Sequence, residues 1–487
     1  MIAAEPPSRE ELGQYLTQAP IARFLASLFT FPEEEVRLLD PGAGTGALTT
    51  AVAERLCGSS RPPKRIAVTG VEVDPRMWEP LAETHASCGG ICEKSAIDWE
   101  AAIVRDSFFD FALSYVREDF FTSAAAPFNA AILNPPYRKI HSDSVERQQL
   151  RAAGLETSNL YTGFLFLAAR ILAPGGELVA IVPRSFCNGP YFRVFREQFF
   201  AMMSLRRIHL FESRTAAFRE DAVLQENIVF YAVKTSKAPK EVVVSSSHGE
   251  PSAGDPVARH PYSTIFAPGD PQRFLHIPAA GKSSDARALL GRVSCTLSTL
   301  GLEVSTGRVV DFRARSLLCA ESGPNTFPLI YPCHCRGGRV VWPGSQTRKP
   351  NAIAAAADAQ NLLVPAETYV LTKRFTSKEE RRRIVASIFE PSVVASDRVG
   401  FENHLNYFHS RGRGLPRNLA FGLAVYLNST VVDQYFRQFN GHTQVNATDL
   451  RNLPYPSHEA LTRLGVNLGN AVLAQDEIDH LVTEHLL

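Results

Sequence analysis

The chain has 487 residues, of which 45% are hydrophobic and 21% are charged, and 51 basic against 50 acidic residues leave a formal net charge of +1. This composition is ordinary for a soluble globular protein of two to four domains, and it excludes binding to polyanions through overall charge alone. There is no apolar run long enough to span a bilayer, and the first residues lack the pattern of a secretory signal. We therefore expect a cytoplasmic protein with no membrane partner.

The eight cysteines show no paired spacing, which argues against a disulfide framework and fits a reducing compartment. Cys333, His334 and Cys335 form one cluster of potential metal ligands. A second ligand pair at the distance found in zinc fingers is missing, so the sequence predicts no metal site.

Short apolar runs alternate with longer amphipathic ones from Val36 to about Val233. Strands alternating with helices predict a doubly wound, mostly parallel α/β sheet of the Rossmann-like kind. The predicted strands are VRLLD, RIAVTGVEVD, FNAAILN, GELVAIVP, SLRRIHLF and NIVFYAV, and the predicted helices between them are ALTTAVAERL, YTGFLFLAARIL and PYFRVFREQFFAMM.

The rest of the chain differs in composition. Residues 236–295 are rich in Ser, Pro and Gly, which predicts a loop-rich connection with peripheral strands. Residues 296–487 mix strand-like pieces such as GRVVDFR and TYVLTKRF with helical ones, and the last thirty residues or so predict two helices. The sequence thus predicts an α/β domain over 1–235, a loop-rich connection over 236–295, and an α+β domain over 296–487.

A glycine loop follows the first predicted strand and opens a helix. Gly42, Gly44 and Gly46 allow a sharp turn and a close approach to a ligand, and Asp40 offers a carboxylate beside them. Glu72 ends the next strand, where an acid receives the ribose hydroxyls of a nucleoside cofactor. The loop reads GAGTG rather than the dinucleotide pattern, and an acid there suits a cationic cofactor. We therefore expect S-adenosyl-L-methionine rather than NAD.

The run from Ala130 to Leu133 predicts a buried strand that stops at Asn134, because the two prolines that follow cannot donate to a sheet. The amide oxygen of Asn134 and the carbonyl of Pro135 could accept the two hydrogens of a planar amino group. Tyr137 supplies an aromatic face on which a base can stack. This corner is predicted to present a methyl acceptor beside the methyl donor.

The glycine loop, Glu72 and the Asn-Pro-Pro-Tyr segment 134–137, which we call the NPPY corner, occur in this order along the chain. In this respect the chain resembles the gamma group of amino-methylating, adenine-specific DNA methyltransferases of type II restriction-modification systems. The segment GQYLTQAPIARFLASLF is similar to the family's opening motif and implies that Thr17 contacts the methionine moiety, although Gln18 stands where the family often has proline. REDFF implies that Asp119 and Phe120 hold the cofactor adenine, and NLYTGFLFLAARIL makes Tyr161 a wall residue.

The resemblance also implies that Phe218 stacks on a flipped base opposite the tyrosine, with ordinary core packing as the alternative. It further implies a target-recognition domain in the second half of the chain. There, two polar loops carry the side-chain types that read base edges and grip phosphates, although solvated loops would look the same. The DNA-binding candidates are Asn403, His404, Asn406, Arg411, Arg413, His442, Gln444 and Asn446.

The function that the resemblance implies is site-specific methylation of a flipped adenine at its exocyclic amino group in double-stranded DNA. Such an enzyme would protect host DNA from a cognate restriction endonuclease encoded nearby. Methylation of an RNA base or of a protein glutamine amide uses the same kind of corner and remains the alternative. Enzymes of those two kinds are usually shorter, and the long second half of this chain suits reading of a DNA groove better.

Overall fold

The computed structural model describes residues 17–31, 33–118, 128–211, 226–252, 254–278, 285–344, 349–376, 380–440, 443–466, 468 and 473–486. The chain divides into two compact units, Met1–Lys282 and Ser283–Leu487. Among the described residues, none of the helices is both long and apolar enough to cross a membrane.

Unit 1 is built on one large sheet with helices packed against it. Its strands are β1 (Glu35–Pro41), β2 (Arg65–Val71), β3 (Asp98–Val104), β4 (Phe128–Leu133), β5 (Leu172–Pro183), β6 (Met203–Phe211), β7 (Asn227–Lys234), β8 (Glu241–Ser247) and β9 (Val257–Pro261). Its helices are α1 (Ala19–Ser27), α2 (Ala47–Cys57), α3 (Pro75–Lys94), α4 (Phe108–Glu118), α5 (Val145–Ala152), α6 (Leu160–Ile171), α7 (Arg193–Met202) and α8 (Tyr262–Ile265).

The strand order is β3-β2-β1-β4-β5-β7-β6-β8-β9. The first five strands run parallel, β7 is antiparallel to both of its neighbours, and β8 lies parallel to β6. The register pairs Leu39 of β1 with Thr69 of β2 and with Ala131 of β4. The carboxyl ends of these three strands therefore meet at one edge, where α/β sheets bind their ligands.

Both faces of the central strands of this sheet are buried, as expected for parallel strands between helices. In β1 and β4, Leu38 and Ile132 belong to one hydrophobic core, whereas Leu39 and Leu133 belong to the other. The alternation follows from the two-residue period of a strand. The doubly wound α/β fold predicted from the sequence is confirmed.

Some elements of unit 1 were not predicted. The strand β3 and the helix α3 carry no strong apolar period, because β3 is largely exposed and α3 contains Pro80 and two adjacent glycines. The segment 236–295, predicted to be loop-rich with peripheral strands, contributes β8 and β9 to the large sheet.

Unit 2 contains two smaller sheets, with strand orders β10-β20-β17-β18-β14-β13 and β11-β15-β12-β19-β16. The strands are β10 (Glu303–Thr306), β11 (Leu318–Cys319), β12 (Thr326–Ile330), β13 (Cys335–Arg336), β14 (Arg339–Val340), β15 (Ala352–Ala354), β16 (Leu363–Pro365), β17 (Tyr369–Lys373), β18 (Ala386–Phe389), β19 (Arg398–Phe401) and β20 (Leu405–His409). The helices are α9 (Asp285–Leu290), α10 (Arg417–Leu427), α11 (Thr430–Phe439), α12 (Ala447–Arg451), α13 (His458–Val466) and α14 (Gln475–Leu486). The predicted strand GRVVDFR forms only a single bridge, at Val309.

Candidate active site

The glycine loop leaves β1 at Pro41 and enters α2 at Ala47. The backbone amides of Gly42 and Ala43 donate to the carbonyl of Val71, at 2.8 and 3.1 Å, which fastens the loop to the end of β2. Gly46 has a φ of +84°, and a Cβ atom there would lie 2.8 Å from Cγ2 of Thr84. The loop therefore requires glycine at this position, both for its backbone conformation and for the close approach of α3.

Glu72 closes the other side of the loop. Its carboxylate accepts hydrogen bonds from the backbone amides of Gly44 and Asp74, each at 2.8 Å, and its side chain is buried. Burial raises the pKa of Glu72, and the two backbone hydrogen bonds partly offset that rise. Glu72 thus links the glycine loop after β1 to the end of β2.

Asp40 is a buried carboxyl group with an incomplete set of partners. Its Oδ2 atom accepts from the hydroxyl of Thr49 at 2.8 Å, whereas Oδ1 is buried and has no hydrogen-bond partner within the part of the chain that the structure describes. Burial, with a smaller contribution from the charge of Glu72, raises the pKa of Asp40 to about 7. A cationic ligand would stabilise the ionised carboxylate, so this site fits the ammonium group of S-adenosyl-L-methionine.

The NPPY corner lies directly after β4. The side-chain amide of Asn134 donates to the hydroxyl of Thr17 at 2.9 Å, and its oxygen accepts from the hydroxyl of Tyr137 at 2.8 Å. The Tyr137 hydroxyl also lies 3.1 Å from the carbonyl oxygen of Ile181 in β5. Asn134 is therefore held from both sides, in one orientation of its amide.

An aromatic wall stands next to this corner. The ring of Tyr161 is 6.4 Å from that of Tyr137, with the ring planes at 85°, and its hydroxyl lies 2.7 Å from the hydroxyl of Ser185. Tyr161 is buried, so the pair forms a rigid edge-to-face contact rather than a mobile surface.

The structure brings together most of the site residues predicted in unit 1. Asp40 lies near the end of β1, Glu72 and Asn134 directly follow β2 and β4 on either side of it, and Thr17 lies against Asn134. The predicted positions Asp119, Phe120 and Phe218 lie outside the described residues.

Sequence reasoning missed two contacts at this site. Thr49 bonds to Asp40 from inside α2, and the only signal was a threonine on a helix face that is otherwise apolar. Phe164 of α6 supports the loop, since a Cβ atom at Gly42 would lie 3.7 Å from its ring. No pattern in the sequence signals that second contact.

In unit 2, a pocket of about 290 Å³ lies at strand ends and is lined by Tyr331, Cys333, Lys349, Phe375, Glu402 and His404. We call it the strand-end pocket. Of the DNA-binding candidates, His404 lines it, Asn403 is adjacent in the chain, and Gln444 forms a bridge with Phe375. His442 lies outside the described residues.

The other candidates in unit 2 have different surroundings. Arg411 and Arg413 are exposed in a turn, and Arg413 pairs with Glu367. Asn446 caps α12 with Asp449. Asn406 is fully buried, and its amide donates to the carbonyl of Val445 at 2.8 Å. The prediction of a DNA contact is corrected for Asn406, because this amide is used inside the unit and has no surface to offer a base.

Comparison with known proteins gives three findings. A family model described as "Eco57I restriction-modification methylase" matches residues 83–218. The chain is 41% identical to the type II methyltransferase M.PstI of Providencia stuartii over 478 residues, which is 98% of this chain and 93% of that protein. It is also 41% identical to the type II methyltransferase M.BsuBI of Bacillus subtilis over 490 residues, 99% of this chain and 95% of the relative.

Among solved structures, the chain resembles the type IIL restriction-modification enzyme MmeI in complex with DNA. The TM-score is 0.56 at 10% identity, with 96% of this chain and 72% of that chain covered, so this likeness concerns the fold alone. The two full-length relatives carry the assignment: the chain belongs to the type II restriction-modification methyltransferases, a family of DNA-methylating enzymes with a Rossmann-like, S-adenosylmethionine-dependent fold.

Proposed function

We propose that this protein transfers a methyl group from S-adenosyl-L-methionine to the exocyclic amino group of an adenine flipped out of double-stranded DNA. The observation that carries the proposal is the position of Asn134. Its amide oxygen lies at the edge shared by the ends of β1, β2 and β4, in a fixed orientation, and Tyr137 lies beside it. By this proposal the enzyme is an adenine-specific, site-specific DNA methyltransferase.

Three residues account for cofactor binding under this proposal. Asp40 pairs with the ammonium group, and ribose hydroxyls donate to Glu72, since a carboxylate can accept up to about four hydrogen bonds. Thr17 contacts the methionine moiety from the segment before α1. When bound, the cofactor supplies an electrophilic methyl group on a sulfonium sulfur.

Asn134 and Pro135 act on the acceptor. The amide oxygen of Asn134 and the carbonyl of Pro135 accept the two amino hydrogens of adenine and draw them out of the ring plane, which localises the lone pair on nitrogen. That lone pair forms the new N–C bond, the sulfur keeps the electrons of the bond that breaks, and the extra amino proton leaves to solvent. Tyr137 holds the flipped base by stacking.

DNA binding is proposed for unit 2. The exposed side chains of Arg411 and Arg413 suit phosphate contacts, which position a protein on the duplex without reading its sequence. Protection of host DNA from a cognate endonuclease would follow from methylation at one sequence. The full-length similarity to type II methyltransferases supports a DNA substrate over RNA or a protein glutamine.

The test is to express the protein in a host without adenine methylation and to analyse nucleosides from purified DNA by mass spectrometry. N6-methyldeoxyadenosine is expected with the wild-type protein and should be strongly reduced with Asn134→Ala. Methylated cytosine in the DNA would contradict the adenine assignment. Methyl groups found only in RNA or protein would contradict the DNA substrate.

A further inference from the structure

We infer that the strand-end pocket of unit 2 reads the edge of one base pair of the recognition sequence, with Lys349 and His404 as specificity-determining residues. This inference rests on the proposed DNA substrate. It goes further by assigning sequence discrimination to one cavity and two side chains.

The pocket has a rigid frame. Strands β12 and β19 run parallel, with Ile330 paired to Phe401, and the backbone amide of Glu402 donates to the carbonyl of Ile330 at 3.0 Å. Lys373 of β17 pairs with Leu405 of β20, which places Phe375 at the same strand ends. Groups held by strand ends keep their geometry without a ligand, as recognition of a base edge requires.

Glu402 positions His404. The Glu402 side chain is 1% exposed, and its carboxylate accepts from both the backbone amide of His404, at 3.0 Å, and the Nδ1 atom of its ring. In the tautomer whose Nδ1 donates to this carboxylate, Nε2 is a hydrogen-bond acceptor. The His404 side chain is 48% exposed, so this acceptor is within reach of a donor such as a base amino group.

Lys349 supplies the complementary donor. Its Nζ atom lies 2.8 Å from the Asp311 carboxylate and 5.1 Å from the centre of the Tyr331 ring, and the Tyr331 hydroxyl donates to the same aspartate at 2.8 Å. The hydrogen bond to Asp311 raises the pKa of Lys349, so the side chain stays charged. An ammonium group held in this way can donate to O6 and N7 of guanine in the major groove.

Phe375 adds an apolar contact. Its side chain is among the exposed large hydrophobic groups, at 43%, and its ring centre is 4.9 Å from that of His404. A donor, an acceptor and an apolar group in one small cavity match the kinds of group that base pairs present in the major groove. A phosphate site would instead be uniformly cationic, and the buried acid Glu402 would repel a phosphate.

The test measures discrimination rather than activity alone. The recognition sequence is first read from sequencing of methylated DNA in an expressing host. Methyl transfer from labelled S-adenosylmethionine is then measured on that duplex and on every single base-pair change of it. The proteins are the full-length wild type, Lys349→Ala, His404→Ala and the control Arg463→Ala, whose side chain is 72% exposed on α13.

We expect Lys349→Ala and His404→Ala to lose at least about fivefold of the discrimination at one base-pair position, or at two adjacent positions, and to keep it elsewhere. Arg463→Ala should keep the wild-type profile. Lys349→Met and His404→Leu, which keep most of the side-chain volume without the hydrogen-bonding group, should repeat the effect if either alanine variant is unstable in thermal unfolding.

Two results would overturn the inference while leaving the proposed function intact. An equal loss on every duplex with a weaker salt dependence would identify a phosphate contact. If the variants at Lys349 and His404 discriminate between the duplexes as the wild type does, the pocket takes no part in recognition. If the wild-type protein methylates no DNA at all, the proposed function fails and this inference fails with it.

Discussion

Tyr137 donates its hydroxyl hydrogen to the side-chain oxygen of Asn134 across 2.8 Å. The atom that the proposed chemistry needs as an acceptor is therefore already engaged, and the amide of Asn134 is oriented by Thr17 from the opposite side. An incoming amino group meets an oxygen whose position is fixed in advance, which is the condition for stabilising a transition state rather than a ground state.

Asn134→Ala is expected to slow methyl transfer by roughly 100-fold or more while cofactor and DNA affinities change by no more than a few-fold. The reason is that the contact strengthens as the amino nitrogen becomes tetrahedral, so its loss falls on turnover. Single-turnover transfer of labelled methyl groups measures this directly. A wild-type rate of methyl transfer in Asn134→Ala would show that the NPPY corner only ends the strand and takes no part in catalysis.

Tyr137→Phe and Tyr137→Ala separate the two roles of that side chain. The phenylalanine variant keeps the stacking face and loses only the hydrogen bonds to Asn134 and Ile181, so we expect a reduced rate with near-normal DNA affinity. The alanine variant also loses stacking worth ~1–3 kcal/mol, so DNA affinity should fall as well. Equal behaviour of the two variants in fluorescence binding assays would argue against stacking by this ring.

The raised pKa of Asp40 predicts that cofactor binding depends on pH. Its pKa in the ligand-free protein is raised to about 7 from an ordinary value of 3.8, and the ionised form is the one that pairs with an ammonium group. The apparent affinity for S-adenosylmethionine should therefore fall by up to about tenfold for each pH unit below about 7. Asp40→Asn should bind weakly, and its affinity should not change over the same range in calorimetry.

The raised pKa of Asp40 also affects the stability of the ligand-free protein. Its stability should fall as pH rises, whereas its affinity for the cofactor should increase. Because the folded protein holds the proton of Asp40 more tightly than the unfolded chain, the stabilisation is complete below pH 3.8 and is lost as pH rises through about 7. Relative to Asp40→Asn, the ligand-free wild type should lose stability across that window. A constant difference between their melting temperatures would contradict the assignment.

Gly46→Ala should destabilise unit 1 by roughly 2–4 kcal/mol. A left-handed backbone costs about 1–2 kcal/mol for a residue with a Cβ atom, and the contact with Thr84 adds an overpacking penalty. Gly90→Ala is the control, since Gly90 lies inside α3, toward its carboxyl end, and a Cβ atom there meets nothing within 4 Å. It should be neutral or stabilising by up to about 1 kcal/mol in urea titrations.

Much of unit 1 could be predicted because its signals are local. A strand that ends in Asp40 before a glycine loop, and a strand that ends at Asn134 before two prolines, are both set by neighbours in the chain. The contact between Thr17 and Asn134 joins residues 117 positions apart, and no local pattern encodes it.

Unit 2 was harder to predict for the same reason. Asn406 resembles a base-reading residue in the sequence, yet its partners are Thr306 and Val445, which come from distant parts of the chain. Polarity alone does not separate a buried, satisfied amide from an exposed one. The Glu402 and His404 pair, two positions apart, is the kind of contact that a short motif can show.

The strand-end pocket draws Phe375 and His404 from turns that follow or join strands, while the strands themselves and the buried Tyr331 hold the hydrophobic core of the unit. Substitutions in those turns can therefore accumulate without unfolding the scaffold. If the pocket reads a base pair as inferred above, proteins that share this scaffold would come to methylate different DNA sequences by exchanging a few turn residues.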